Sequence, residues 1–161
     1  GFRVPIPTDQ AQHELTHLRI LLECEGACLS IRQGGIDWES RLTAVHHKLS
    51  HIEKRVRGSA DHMPLFILWA KAEQAFHETL ISDCGSDVLK ATHAMIYQRF
   101  RQQVFNSDKK FVFVTENIEQ HQGILEAALM RDEALIRSRI YSHLERNLVF
   151  DMPPELPKLP Y

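Results

Sequence analysis

Between Pro7 and Pro153 the chain carries a single proline, Pro64. A proline inside a helix removes a backbone hydrogen bond and clashes with the preceding turn, so almost the whole length is free to be helical. Pro5 and Pro7 at one end, and Pro153, Pro154, Pro157 and Pro160 at the other, mark extended tails. Gly34, Gly35, Gly58 and Gly85 fall where the hydrophobic period resets, as helix terminators do. The 3.6-residue period between these breaks predicts six helices. The first runs from Asp9, capped by Thr8, to Arg32, with Leu15, Leu18, Leu22 and Leu29 on one stripe. The others span Asp37 to Arg57, Pro64 to Cys84, Ser86 to Asn106 (Leu89, Ile96, Phe100 and Val104 inward), Phe111 to Met130, and Asp132 to Phe150. Residues 111–114 also have strand propensity, but one isolated strand has no partner. The predicted fold is all-α, an antiparallel bundle of six or seven helices about 30 Å long. A chain of 161 residues, 43% of them hydrophobic, builds one core of this kind without needing disulfides or a metal to stay folded.

Nineteen Lys and Arg against twenty-one Asp and Glu give a formal charge of −2, with no basic block. Nucleic-acid phosphates need clustered positive charge, so direct DNA or RNA binding is not expected of this chain. Cys24, Cys28 and Cys84 are odd in number and form no CxxC, which predicts a reducing, cytoplasmic compartment. No apolar run approaches the roughly 20 residues that span a bilayer. The first residue is Gly, and the chain is expected to be part of a longer protein.

Ten histidines stand out, because His is the commonest metal ligand. Residues four apart on a helix lie one above the other and can grip a single ion. His13 with His17, His47 with His51, and Glu73 with His77 have that spacing. The first pair starts a helix beside Asp9 and Gln10, and the second lies on a solvated stripe with Ser40, Thr43, Ala44 and Ser50. Glu73 and His77 instead share a face with Trp69, Ala70, Phe76, Leu80 and Ile81, where a carboxylate costs several kcal/mol to bury unless it is paired or metal-bound. His121 and His143 lie on apolar faces of two later helices. Three facing helices can bring these side chains to one interior point, a set of three imidazoles and one carboxylate suited to Zn, Ni, Mn or Fe, with Zn or Ni favoured. His93, beside Leu89, Ile96 and Phe100, has an equally apolar setting, and each inward histidine is also readable as a satisfied core residue. Cys24 and Cys28, four apart, read as small buried apolar residues. GxSxG, HExxH and Gly-rich phosphate loops are absent from the sequence.

The residues of this constellation also carry a likeness. Arg19-Ile20-Leu21-Leu22-Glu23, Trp69 through Phe76-His77, Cys84-Gly85-Ser86, the stretch Glu119 to Ala127 followed by Arg131-Asp132, and Ser142-His143-Leu144 occur in an order that resembles the C-terminal ligand-binding (FCD) domain of GntR-type transcription regulators of the FadR subfamily. The opening Gly-Phe-Arg-Val resembles the end of the wing of the preceding winged helix-turn-helix. Within the family, His47-Lys48-Leu49-Ser50 and Cys84-Gly85-Ser86 are most similar to the carbon-starvation regulator (CsiR) group. The resemblance implies a wing and linker remnant over 1–8, an all-helical effector-binding and dimerisation domain over 9–150 and a Pro-rich tail over 151–161.

It further implies that His77, His121 and His143 are metal-binding imidazoles. Glu73 stands where many members have Asp, and reaches one methylene further. Ser86 stands where a ligand-touching Asn is frequent. Arg19 would pair with an effector carboxylate, since a guanidinium suits bidentate recognition; Arg99 and Arg101 are further candidates. The implied function is effector sensing: a divalent metal and Arg19 share the charge of a small organic acid, and binding alters operator affinity of a homodimer through a winged-helix domain outside this chain. No catalytic residue is expected. The rivals are an all-α metalloenzyme, whose open metal position would activate water, and a metal-free dimerisation domain with a filled core.

Overall fold

The computed structural model describes residues 8–57, 63–105 and 114–148. Six helices follow one another: α1 (Asp9–Gln33), α2 (Ile36–Arg57), α3 (Met63–Leu80), α4 (Asp87–Phe105), α5 (Val114–Leu129) and α6 (Glu133–Leu144), with a 3-10 turn at Glu145–Asn147. The described residues contain no strand. Residues 111–113, the segment before Thr8 that the resemblance reads as a wing remnant, and the Pro-rich tail lie outside them.

Local chemistry accounts for the helix ends. The Thr8 hydroxyl accepts from Ala11 N at 3.0 Å and Asp9 faces the positive first turn of α1. Gly34 closes α1, its N–H on Ser30 O; a Cβ there would lie 2.6 Å from Ser30 O and 2.9 Å from the Trp38 ring, so only glycine lets α2 leave so closely. The third helix stops at Leu80, short of the expected Cys84. Over its final turn the Ser82 hydroxyl and the Trp38 indole N–H both donate to Thr79 O, and the chain turns through Gly85 at φ +76°. Ser86 then caps α4, accepting from Leu89 N at 3.1 Å. Asp132 caps α6 through Leu135 N. Between α5 and α6, Arg131 takes the left-handed conformation at φ 55°, and its guanidinium donates to the carbonyls of Ile31 and Gly34 and to Glu39. One side chain thereby satisfies the C-terminal carbonyls of α1 and ties both turns together.

In the bundle, α1 packs on α4 and α6, α2 on α3 and α5, and α5 on α6; α3 closes the ring against α1 and α4. The main core runs through Trp38, Leu42, Leu49, Phe76, Leu80, Ile124, Ile136 and Ile140. A second cluster of Leu15, Ile96 and Phe100 lies between α1 and α4. The α1 stripe departs from its sequence expectation. Leu15 is buried, but Leu18 is 38% exposed and Leu22 and Leu29 are half-buried, while Arg19 and Glu23 are buried on the inner face. The centre of the bundle is polar: Arg19, Glu23, Glu53, Glu73, His77, His93, His121 and His143 are all buried there. Groups of this kind are tolerated in a core only when paired or bound to something.

Candidate metal centre

The i,i+4 register of α3 stacks Glu73 and His77, α5 contributes His121 and α6 His143. Each offers one ligand atom, and these atoms all lie within 4.8 Å of one another. The three rings are in contact, with centroids 5.4 Å apart for His77 and His121, 5.3 Å for His77 and His143, and 4.6 Å for His121 and His143.

The outer face of each ring is fixed by an oxygen. Nδ1 of His77 donates to Glu23 Oε2 at 2.8 Å, Nδ1 of His121 to Glu53 Oε1 at 2.8 Å, and Nδ1 of His143 to Gln120 Oε1 at 2.7 Å. Glu53 also accepts from the Trp69 indole N–H at 3.1 Å. An acceptor on Nδ1 leaves Nε2 as the free nitrogen, the arrangement by which outer groups orient metal-binding histidines. Glu73 is held in the same way: Oε2 accepts from Tyr97 and from Arg101 Nη2, while Oε1 stays free of hydrogen bonds at 3.1 Å from His77 Nε2. Nε2 of His77 and Nε2 of His121 are buried with no hydrogen-bond partner. Buried polar atoms are normally satisfied. Three imidazoles and a carboxylate that leave such atoms converging fit a divalent first-row metal.

Electrostatics agree with this placement. Burial opposes ionisation of Glu23 and Glu73, but Arg19 and His77 beside the first, and His77, Arg19 and Arg101 beside the second, hold both carboxyls well below the usual range. His143 is pushed well below its ordinary value by burial and by the neighbouring His121 and His77, which keeps its ring neutral and able to ligate. For His77, burial and Arg19 push down, but the Glu23 and Glu73 carboxylates together outweigh them and the pKa is raised. A proton is therefore the competitor a metal must displace there.

Arg19 lies 1% exposed, its guanidinium over the rings of Tyr97 at 4.5 Å and Phe100 at 4.6 Å. Its Nε donates to Glu23 Oε1 at 2.7 Å; Nη2 is 3.6 Å from Glu73 Oε1 and has no hydrogen-bond partner. Arg101 is half-buried and engaged with Glu73 and Tyr97. Arg99 is exposed on α4, and Ser86 serves as the α4 cap. His93 is buried, its Nε2 donating to Glu23 Oε1 at 2.9 Å, outside the four-residue group. His47 and His51 are exposed, and His13 and His17 half-buried; neither pair joins the centre.

Sequence reasoning assigned no role to Glu53, Gln120 or Tyr97, and noted Glu23 only within its motif. A signal existed for Glu53: Leu42, Leu49 and Val56 are buried at helical spacing on α2, and Glu53 lies on their face. The cysteines behave as small apolar residues. Burial raises the Cys24 thiol to about 12 and the Cys28 thiol to about 11, and thiolate is the reactive form. At pH 8 only about one Cys28 in a thousand is ionised, and fewer of Cys24. In a Cys84→Ala background, mass spectrometry after treatment with a disulfide reagent should therefore find both unmodified in native protein and modified after unfolding.

The chain is similar to two transcriptional regulators. The chain is 29% identical over 152 residues to the uncharacterized HTH-type transcriptional regulator BphR of Paraburkholderia xenovorans (strain LB400), covering 92% of this chain and 60% of that protein. It is 28% identical over 148 residues to the HTH-type transcriptional repressor GlaR of Escherichia coli (strain K12), covering 89% of this chain and 66% of that one. This chain thus spans less than two thirds of the length of either relative. The FCD domain pattern matches residues 14–146, a stretch that contains Arg19, all four candidate ligands and the groups behind them. With six helices converging on that buried centre, the chain belongs to the FCD domain family.

Proposed function

We propose that this chain is the effector-sensing domain of a transcription regulator, holding a divalent metal, Zn or Ni before Mn or Fe, through Glu73 Oε1 and the Nε2 atoms of His77, His121 and His143. The observation that carries this is the set of buried nitrogens without a hydrogen bond, Nε2 of His77, Nε2 of His121 and Nη2 of Arg19, with His77 Nε2 and Arg19 Nη2 both facing Glu73 Oε1, at 3.1 and 3.6 Å. When bound, the metal supplies a Lewis-acidic centre with coordination positions open to a small organic acid. Arg19 Nη2 takes the acid's carboxylate, a charge-assisted hydrogen bond inside a low-dielectric core. Tyr97 and Arg101 are committed to Glu73 and hold it toward the histidines. Glu23, Glu53 and Tyr97 are each engaged in hydrogen bonds, which favours a binding centre over a catalytic one.

The acid then biases two arrangements of the regulator, as a homodimer, only as far as its affinity for the two differs. A coupling of about 1–3 kcal/mol is typical and changes operator affinity noticeably. DNA contact belongs to a winged helix-turn-helix outside this chain. The test is Arg19→Gln in zinc-loaded protein, screened against carboxylic acids by thermal shift and titration. A charged hydrogen bond is worth about 1.5–3 kcal/mol, so acid affinity should fall by about 10- to 150-fold, with zinc per chain unchanged. Unaltered acid affinity would remove Arg19 from the effector site.

A further inference from the structure

Glu23 divides its two oxygens between the two parts of the centre. Oε2 accepts from the metal-binding ring, His77 Nδ1, at 2.8 Å. Oε1 accepts from Arg19 Nε at 2.7 Å and from His93 Nε2 at 2.9 Å. Glu23, His77 and His93 are 0% exposed and Arg19 1%, so no solvent competes for these bonds. Helix α1 supplies both Glu23 and Arg19, one turn apart, and His93 from α4 acts as a third strut that keeps the carboxylate from turning. We propose that Glu23 is a positioning residue shared by both binding functions: one buried carboxylate sets which nitrogen His77 presents and where the Arg19 guanidinium points. Metal affinity and acid affinity then depend on a side chain outside the four-ligand group. This rests on the function proposed above and adds to it a single point of control.

Glu53 is the natural comparison. It accepts from His121 Nδ1 and the Trp69 indole, and its remaining oxygen, Oε2, has no hydrogen-bond partner. It should therefore govern the metal alone. Replacing Glu23 by the isosteric Gln removes the anionic charge and offers one oxygen where the carboxylate offered two, so His77 Nδ1 and Arg19 Nε can no longer both be held.

The experiment measures zinc affinity by competition with a chromophoric chelator, and acetate affinity in cobalt-saturated protein by the visible cobalt bands. Wild type, Glu23→Gln and Glu53→Gln are compared. Loss of a group that orients a ligand typically costs about 10- to 100-fold in metal affinity, expected of both variants. Acetate affinity at saturating cobalt should fall about tenfold in Glu23→Gln, as expected when an anionic acceptor is replaced by a neutral one, and stay at the wild-type value in Glu53→Gln. The cobalt bands of Glu23→Gln should also shift, which a merely structural role would not cause. Wild-type zinc affinity in Glu23→Gln, or equal acetate affinity in the two variants, would overturn the proposal. Wild-type protein that binds neither zinc nor acetate would overturn it together with the function it rests on; wild-type binding of both, unaffected by Glu23→Gln, would remove the positioning role alone. Should Glu23→Gln not fold, Glu23→Asp keeps the charge but withdraws both oxygens by one methylene. It is expected to lower both affinities, and wild-type values there would equally overturn the proposal.

Discussion

Stripping the protein with a chelator should lower its melting temperature by about 8–16 °C, and zinc should restore it. A ligand present at about a thousand times its Kd stabilises the folded state by about 4 kcal/mol. In a domain of this size each kcal/mol moves the midpoint by about 2–4 °C. The effect is large because the metal-free centre leaves His121 Nε2 buried without a hydrogen-bond partner, a cost that a bound ion removes. In His77→Ala the zinc-dependent rise should disappear, since the group loses the candidate ligand that stacks on Glu73 and packs against both other imidazoles. Scanning calorimetry with and without chelator reads both effects. A His77→Ala protein that still gains stability from zinc would contradict the assignment of this ligand.

The second large effect lies outside the centre. Trp38 is fully buried, its indole N–H donates to Thr79 O at 3.0 Å, and its ring faces Gly34 at the α1–α2 turn. Trp38→Ala removes the ring and leaves Thr79 O with one donor fewer. Truncations of this kind cost about 3–5 kcal/mol, which moves the midpoint by about 6–20 °C. Chemical denaturation and thermal melting both measure it. Zinc per folded chain should stay unchanged, because the Trp38 indole bonds to the backbone of Thr79 and to none of the four candidate ligands or the side chains that hold them. Loss of zinc together with stability would show that the core and the centre are one unit.

The contrast between these two residues explains what was legible in the sequence. The single internal proline and the glycine breaks placed all six helices, and helical spacing on apolar faces made Glu73, His77, His121 and His143 candidates beside His93, among which the family resemblance chose. Those signals are local, and they survive folding because backbone geometry sets them. The leucine stripe of α1 is only partly buried for a physical reason: its inner face carries Arg19 and Glu23, so Leu18, which shares the stripe with buried Leu15, is 38% exposed. Periodicity registers apolar burial and is blind to charges buried in pairs. The same blindness hid Glu53 and Gln120, whose roles exist only once α2 meets α5 and α5 meets α6. His93 shows the converse. It is inward, as its neighbours imply, yet it bonds to Glu23 outside the four-ligand group, a distinction that spacing along one helix cannot draw.

Whether the buried histidines hold a metal is decided by elemental analysis of the purified domain beside its His77→Ala variant, as metal per chain. About one zinc or nickel per chain in the native protein is expected for a single four-ligand centre, falling to background in the variant. No metal in either sample after growth and dialysis with zinc would contradict the account, leaving Glu73, His77, His121 and His143 as a polar core held together by Glu23, Glu53, Gln120 and Tyr97.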